Sequence, residues 1–169
     1  MRSIIRGMIE LNFVKAQECD IPQIVEFVRK LGEYEQFDGD IVVNDEIIKQ
    51  ELFTGSNNVE VIFAEADSTK VGFALYYHTF STFIGKKGIY IEDLYIEPEF
   101  RGNGIGTKLL SHIAKIAVEK GYGRVELACL DWNKDSIEFY ESIGMKAMNE
   151  WTVFRLDGDG INKLAETCT

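Results

Sequence analysis

The chain has 169 residues, of which 46% are hydrophobic and two are proline, so it fits one globular domain spanning residues 1–169 and excludes a disordered chain. Its formal net charge of −10 disfavours nucleic acid as a partner and supports a cationic substrate. No apolar run approaches the roughly 20 residues that cross a bilayer, and the three scattered cysteines and two histidines predict a reducing cytoplasm and no metal site.

In the first half of the chain, the sequence predicts a strand, then two helices, then a β-hairpin of two strands. The N-terminus does not resemble a signal peptide, and Met8 offers a second start, which would make residues 1–7 a flexible extension. A strand at 11–16 precedes a helix that begins at Asp20 and Pro22, and Asn44 is the expected cap of a helix at 45–53. After a loop at 55–58, residues 59–66 and 71–79 predict a β-hairpin.

The second half alternates strands and helices. A loop at 81–87 leads to a strand at 88–97, which Pro98 ends, and an amphipathic helix at 107–120 ends at Gly121. A strand at 124–130, a helix that Asn133 caps, a strand at 151–156 and a helical turn or two at 161–166 follow. The order predicts a mixed sheet with helices packed on it, an α/β (α+β) domain.

Three glycines alternate where the strand at 88–97 hands over to the next helix, in the stretch Arg101-Gly102-Asn103-Gly104-Ile105-Gly106. Bare glycine backbone admits an anionic group, and the start of a helix favours phosphate, so the stretch predicts a phosphorylated ligand. A Walker A loop fails because Lys108 follows Thr107, and a dinucleotide fingerprint fails because Gly106 comes one position early.

An Arg-x-x-Gly-x-Gly motif directly after a strand resembles the pyrophosphate-binding motif of the GNAT acetyltransferases, which bind acetyl-CoA. The resemblance runs from about residue 9 to 165 and is nearest to the spermidine/spermine (diamine) acetyltransferases, with thialysine acetyltransferases much alike. The residues that carry it are 31–35, 71–77, 90–94, 101–106 and 131–140. It implies a sheet of about six to seven strands with about four helices, and a homodimer with residues 151–156 near its interface.

The resemblance also implies the reaction, which is transfer of an acetyl group from acetyl-CoA to a primary amine of a small cationic acceptor in a ternary complex. The sequence shows no Cys-His or Ser-His constellation, so no covalent enzyme intermediate is implied. Two alternatives stay open. One is an acetyltransferase for an amino acid, an aminoglycoside or a peptide amine, and the other is a non-catalytic module that binds acyl-CoA.

An alkylamine with a pKa near 10.4 must lose a proton before it attacks a thioester. Glu92 is the candidate base: regular alternation would place it on one face with Tyr90, Leu94 and Ile96, an apolar setting that raises a carboxyl pKa. It resembles the acid that acts through an ordered water in the diamine enzymes. The resemblance makes Tyr140 the candidate general acid for the leaving thiolate, whereas its spacing alone favours a core aromatic.

The resemblance further implies how acetyl-CoA is held. Backbone groups of Leu94 and Ile96 would bond the pantetheine arm and the thioester oxygen, and Arg101 would pair with pyrophosphate. Asn133 would bond the pantetheine amide, cap its helix, or do both. The full set of expected cofactor-binding residues is Leu94, Tyr95, Ile96, Arg101, Gly102, Asn103, Gly104, Ile105, Gly106, Thr107, Asn133 and Ser136.

A polyamine carries charges separated by methylenes, so its pocket should interleave acids with aromatics. Phe83 stands where the polyamine enzymes usually have Trp, which leaves the exact amine open. Asp93 would point away from Glu92 in a regular strand, where it either binds the substrate cation or pairs with a neighbouring charge. The expected substrate-binding residues are Tyr34, Glu35, Tyr77, Phe83, Asp93, Glu150 and Trp151.

Overall fold

The computed structural model describes residues 10–55 and 58–168. The expected extension at 1–7, the alternative start Met8 and part of the expected loop at 55–58 lie outside the described residues. The chain divides into two compact units at the boundary between Leu130 and Asp131, and each unit is described by itself. Within the described ranges, no helix has the length and apolar character needed to cross a membrane.

The first unit is built on a five-stranded sheet in which the strands lie side by side in chain order. Strands β1 to β4 pair antiparallel, and β5 pairs parallel to β4. This order places β4 between a long antiparallel neighbour and a short parallel one. The strands are β1 (Leu11–Lys15), β2 (Val59–Ala66), β3 (Thr69–Ser81), β4 (Lys86–Ile96) and β5 (Val125–Leu127).

Three α-helices lie in the described part of the first unit. The first two begin where the sequence predicts, whereas the third begins two residues before the predicted start at residue 107. Helix α1 (Ile21–Tyr34) has Pro22 in its first turn, where a missing N–H is harmless. Helix α2 (Asp45–Ile48) is capped by Asn44, whose Oδ1 accepts a hydrogen bond of 3.1 Å from the Ile47 N–H, and it continues as a wider helical segment, Lys49–Thr54. Helix α3 (Ile105–Glu119) follows the glycine loop.

Helices α1 and α3 cover opposite faces of the sheet. Phe27 of α1 packs on Phe73 and Tyr95, with ring centroids 5.4 and 5.8 Å apart, so these residues mark the face that α1 covers. His112 of α3 stacks on Phe13 at 5.1 Å, whereas the next residue, Val14, packs into the core under α1. Because side chains alternate along a strand, α3 lies on the other face.

The second unit contains helices α4 (Lys134–Ser142) and α5 (Asp159–Ala165). Asn133 caps α4 as predicted, since its Oδ1 accepts a hydrogen bond of 3.3 Å from the Ser136 N–H. The predicted strand at 151–156 is wrong, because the structure assigns no strand to the described residues of this unit. An alternating apolar segment becomes a strand only when a neighbouring strand completes its backbone hydrogen bonds.

The expected mixed α/β architecture is confirmed, but the strand count is lower than predicted. The described residues form five strands in place of six to seven, and β5 covers three residues where seven were predicted. Strands β3 and β4 are longer than predicted, which reduces the expected loop at 81–87 to a turn of four residues at 82–85.

Candidate active site

The loop before α3 has the backbone that its glycines require. Gly102 and Gly104 have φ angles of +76° and +75°, a region that side chains with a Cβ occupy only with strain. Asn103 fixes the turn, since its Nδ2 donates hydrogen bonds of 3.1 and 3.2 Å to the carbonyls of Phe100 and Arg101. The loop conformation is therefore fixed by its own glycines and by the hydrogen bonds of Asn103.

The start of α3 is open to an anion. Gly104 is the N-cap of the helix, and no side chain caps the first turn. A Cβ added at Gly102 or Gly104 would meet no atom of the described residues within 4 Å, so none of these residues fills the space beside them. Helix-start N–H groups and the helix dipole favour a phosphate group at such a place. The residues present thus fit the pyrophosphate end of CoA.

Arg101 links this loop to the ends of β4 and α1. Its Nε donates a hydrogen bond of 2.8 Å to the carbonyl of Ile96. Its guanidinium lies over the rings of Tyr34 and Tyr95, at 4.6 and 5.4 Å from their centroids. The Nη atoms carry the remaining donors of the side chain. The hydrogen bond to β4 and the contacts with two aromatic rings therefore fix the orientation of the Arg101 side chain.

Strand β4 is paired on both sides only along its first half. Strand β5 pairs with it from Ile89, opposite Val125, to Ile91, opposite Leu127. Beyond Ile91, β4 continues through residues 92–96 with no partner on β5 among the described residues. Backbone groups along this stretch, which includes the expected cofactor-binding residues Leu94, Tyr95 and Ile96, can hydrogen-bond an extended ligand.

A β-bulge lies in the middle of β4. Leu75 of β3 pairs with Asp93, but the next residue, Tyr76, pairs with Ile91, so Glu92 is an extra residue on β4. The expected alternation is therefore wrong at this point. Tyr90 lies opposite Tyr77, on the face that α1 covers, whereas Leu94 and Ile96 pair with Ala74 and Gly72 on the other face, so Glu92 does not share one face with all three.

The bulge places Asp93 beneath the C-terminal end of α1. Its partner Leu75 packs against the core under α1, and Glu35 is the C-cap of that helix. Burial, together with the negative charges of Glu92 and Glu35, raises the pKa of Asp93 to about 7. Burial also raises the pKa of Glu35. The expected acids Glu35, Glu92 and Asp93 are thus brought together.

Aromatic rings lie beside these carboxylates. Tyr77 stacks on Tyr90 with centroids 5.2 Å apart, and burial, followed by the charge of Glu92, raises the pKa of Tyr77. The charge of Glu126 on β5 acts in the same direction. The sequence indicated Tyr90 only as a neighbour of Glu92 and did not indicate Glu126, and the pairing of Tyr90 with Tyr77 and with Glu126 places both beside these carboxylates.

Other expected residues lie apart from this cluster or in the second unit. Phe83 lies in the turn between β3 and β4 and is 95% exposed, so its role as a pocket wall stays a prediction. In the second unit, Tyr140 lies on α4 with its ring 5.3 Å from that of Phe139, while Glu150 and Trp151 are exposed. Roles for Asn133, Ser136, Tyr140, Glu150 and Trp151 stay predictions.

Across the residues that the structure describes, no three His, Cys, Asp or Glu side chains are grouped as metal ligands.

Comparison with known proteins identifies the family. Residues 26–145 match the Acetyltransferase (GNAT) family. The chain is 34% identical over 162 residues to a thialysine N-epsilon-acetyltransferase from Sus scrofa, covering 89% of this chain and 95% of that protein. It is 24% identical to the spermidine/spermine N(1)-acetyltransferase-like protein 1 of Homo sapiens, covering 98% of this chain and 25% of that protein.

A solved structure supports the same assignment. An integron cassette protein from the mobile metagenome of V. cholerae superposes with a TM-score of 0.77 at 27% identity, covering 95% of this chain and 99% of that one. The open glycine loop and the incomplete pairing of β4 are consistent with these matches. The chain therefore belongs to the GNAT family of N-acetyltransferases.

Proposed function

We propose that this acetyltransferase transfers an acetyl group from acetyl-CoA to a primary amine of a small cationic acceptor, thialysine-like or a diamine, by direct attack in a ternary complex. The observation that carries the proposal is the group of three carboxylates, Glu35, Glu92 and Asp93, beside the part of β4 that β5 leaves unpaired. The similarity to thialysine acetyltransferases supports the same class of acceptor.

Acetyl-CoA would supply the activated acetyl group. The start of α3 with Gly102, Gly104 and the backbone through Thr107 would hold its pyrophosphate, and Arg101 would add charge-assisted hydrogen bonds. Backbone groups along residues 94–96 would bond the pantetheine arm and keep the thioester in register with the acids. The helix cap Asn133 and the neighbouring Ser136 remain candidates for the same arm.

The acceptor would enter as an ammonium ion among acids and aromatic rings. Glu35 and Asp93 favour its positive charge, and the stacked rings of Tyr77 and Tyr90 offer surface to its methylenes. Glu92 is the candidate base that removes a proton from the amine, and Tyr140 is the candidate acid that protonates the leaving thiolate. Tyr34, Phe83, Glu150 and Trp151 are further candidates for the acceptor pocket.

We also propose that both units belong to one acetyltransferase domain, since the family match at residues 26–145 runs across their boundary.

A homodimer is proposed on the exposed apolar side chains of the second unit, because large exposed patches mark interfaces. Trp151, Val153 and Phe154 are 70, 85 and 90% exposed, and sedimentation of Phe154→Glu against the unmodified chain tests this. We propose a cytoplasmic location, which suits the odd number and scattered positions of the three cysteines in the sequence.

An acceptor panel tests the proposed reaction. The purified chain would be assayed with acetyl-CoA and thialysine, lysine, ornithine, spermidine, an aminoglycoside or a peptide with a free N-terminus, and CoA release would be measured with a thiol reagent. We expect the highest kcat/KM for thialysine or a diamine. Turnover of peptides alone would overturn the proposed acceptor, and calorimetric binding of acetyl-CoA with no turnover would indicate a binding module.

A further inference from the structure

The two adjacent acids of β4 have different surroundings because of the bulge. Glu92 is the extra residue and is exposed to solvent. Asp93 is partly buried and pairs with Leu75, which packs into the core under α1, as does Tyr95 two residues further along β4. The Asp93 carboxyl is thus partly shielded from bulk water, whereas the Glu92 carboxyl is in contact with it.

The charges that face Asp93 are acidic. On its own strand the neighbour is Glu92, and from the end of α1 it is Glu35. The cations on this face have other partners: Lys30 pairs with Glu97 and Glu26, and Arg101 donates to the Ile96 carbonyl. No lysine or arginine in the described part of the chain forms an ion pair with Asp93. An incoming ammonium would therefore be its first positive partner.

We propose that Asp93 is the residue that first accepts the proton of the acceptor ammonium, and that Glu92 beside it passes this proton to solvent. The inference rests on the proposed acetyltransferase function and assigns the base within it. It divides between two acids the role that the sequence alone assigns to Glu92.

Two protons leave the acceptor nitrogen during the reaction. The ammonium gives one proton to the Asp93 carboxylate and becomes a neutral amine, and Asp93 returns to its carboxylate form by release of that proton through Glu92. The amine nitrogen then forms a bond to the acyl carbon as the C–S bond breaks. As the amide forms, the second proton passes from the nitrogen to the regenerated Asp93 carboxylate and leaves through Glu92. The leaving thiolate takes up a proton from Tyr140, the proposed acid, and the Tyr140 phenolate is reprotonated from solvent.

The electrostatics of Asp93 suit this role. Burial and the charges of Glu92 and Glu35 raise its pKa to about 7, so its carboxylate is available above neutral pH and holds a proton below it. A base is most effective when its pKa lies near the working pH. Activity should therefore rise with pH through about 7 and become independent of this group above it.

The test compares Asp93→Asn with Glu92→Gln and Glu35→Gln in the full chain, measuring kcat and kcat/KM for thialysine from pH 5.5 to 9.5. Asp93→Asn should lower kcat about 10²-fold or more and remove the rise near pH 7. Glu35→Gln removes a negative neighbour, so the rise should move to lower pH and persist. Glu92→Gln should move it in the same direction with less than about tenfold loss of kcat.

A second measurement separates proton removal from a loss of folding. An aminooxy acceptor is neutral at pH 7 and needs no base, so the defect of Asp93→Asn should shrink by at least about tenfold with that acceptor. A residue that only supports the fold would not give this dependence on acceptor basicity, and a residue that only binds the cation would raise KM without lowering kcat. Calorimetric binding of acetyl-CoA to the variant confirms that the chain is folded.

Several results would overturn the inference. They are a rise near pH 7 that survives Asp93→Asn, a loss of that rise in Glu92→Gln alone, or a Glu35→Gln profile with an unmoved rise. A higher KM for the amine with unchanged kcat would assign Asp93 to binding only. Failure of the proposed function looks different, because the unmodified chain would then release no CoA with any acceptor.

Discussion

A charged cluster on the sheet offers the most quantitative test of the structure. Glu60 of β2 is 14% exposed and accepts from Lys15 at 2.7 Å and from His78 Nε2 at 2.9 Å, with Lys120 at 3.5 Å. It therefore connects β1, β2 and β3 with the end of α3. Burial alone would raise the pKa of Glu60, but the hydrogen bonds from Lys15 and His78 and the charges of Lys15 and Lys120 outweigh it and lower the pKa to about 2.

The shift sets the expected size of the effect. A carboxyl group whose pKa falls from 4.5 to about 2 on folding contributes about 3 kcal/mol to the free energy of unfolding at neutral pH. Because the folded pKa is the lower one, this contribution is complete above pH 4.5 and is lost as the pH falls toward 2. Glu60→Gln should therefore destabilise the chain by about 2–3 kcal/mol at pH 7 and by less than half of that at pH 3.

Urea unfolding followed by circular dichroism at pH 7, 5 and 3 measures this dependence. The matched control is Glu65→Gln on the same strand, since Glu65 forms no ion pair with a residue that the structure describes. The control should change the free energy of unfolding by no more than about 0.5 kcal/mol. A Glu60→Gln effect that is equal at pH 7 and pH 3, or no larger than the control, would refute the reasoning.

Three further predictions concern the site. Gly104→Ala forces a Cβ onto a φ of +75° at about 1–2 kcal/mol but meets no neighbouring atom, so the chain should fold while calorimetry shows acetyl-CoA binding weakened at least about tenfold. Tyr140→Phe should lower kcat about 10²-fold or more with both KM values nearly unchanged, and a near-normal kcat would remove Tyr140 as the acid. Asp93→Asn should raise the Tm at pH 8 by at least about 2 °C. Because the folded pKa of Asp93 is raised to about 7, its carboxylate lowers the stability increasingly from pH 3.8 to about 7 and fully above that, and an amide carries no such charge.

Features set by a few neighbouring residues could be predicted from the sequence. The glycine loop needs positive φ angles at Gly102 and Gly104, and glycine is the residue that adopts them without strain. Asn44 and Asn133 cap their helices through hydrogen bonds to N–H groups three residues ahead. In each case the decisive contact lies within one helical turn, so the local sequence contains the information.

Features that depend on a neighbouring strand could not be predicted from the local sequence in the same way. The alternation in residues 151–156 is compatible with a strand, but the structure assigns none there, and Val153 and Phe154 are exposed. Strand β5 stops pairing at Leu127, although the residues that follow are apolar enough to continue. Strand length is set by the neighbour that completes the hydrogen bonds, and a single segment does not contain that neighbour.

The bulge in β4 shows how such a limit changes a functional assignment. Alternation holds on both sides of it, since Tyr90 and Ile91 lie on opposite faces, as do Asp93 and Leu94. No glycine or proline marks the extra residue, because its position follows from the pairing of Leu75 with Asp93 and of Tyr76 with Ile91. An uninterrupted strand would turn Asp93 away from Tyr90, whereas the bulge turns both toward α1.

This one-residue shift in register decides which of the two acids, Glu92 or Asp93, lies near the C-terminal end of α1. With the bulge in place, Asp93 meets the charge of Glu35 in partly buried surroundings, and Glu92 stays in solvent. The pair of acids was visible in the sequence, but the different surroundings of the two acids were not, because these depend on register with β3. If removal of the bulge by deletion of Glu92 left the rise of activity near pH 7 in place, register would not be what tunes the base.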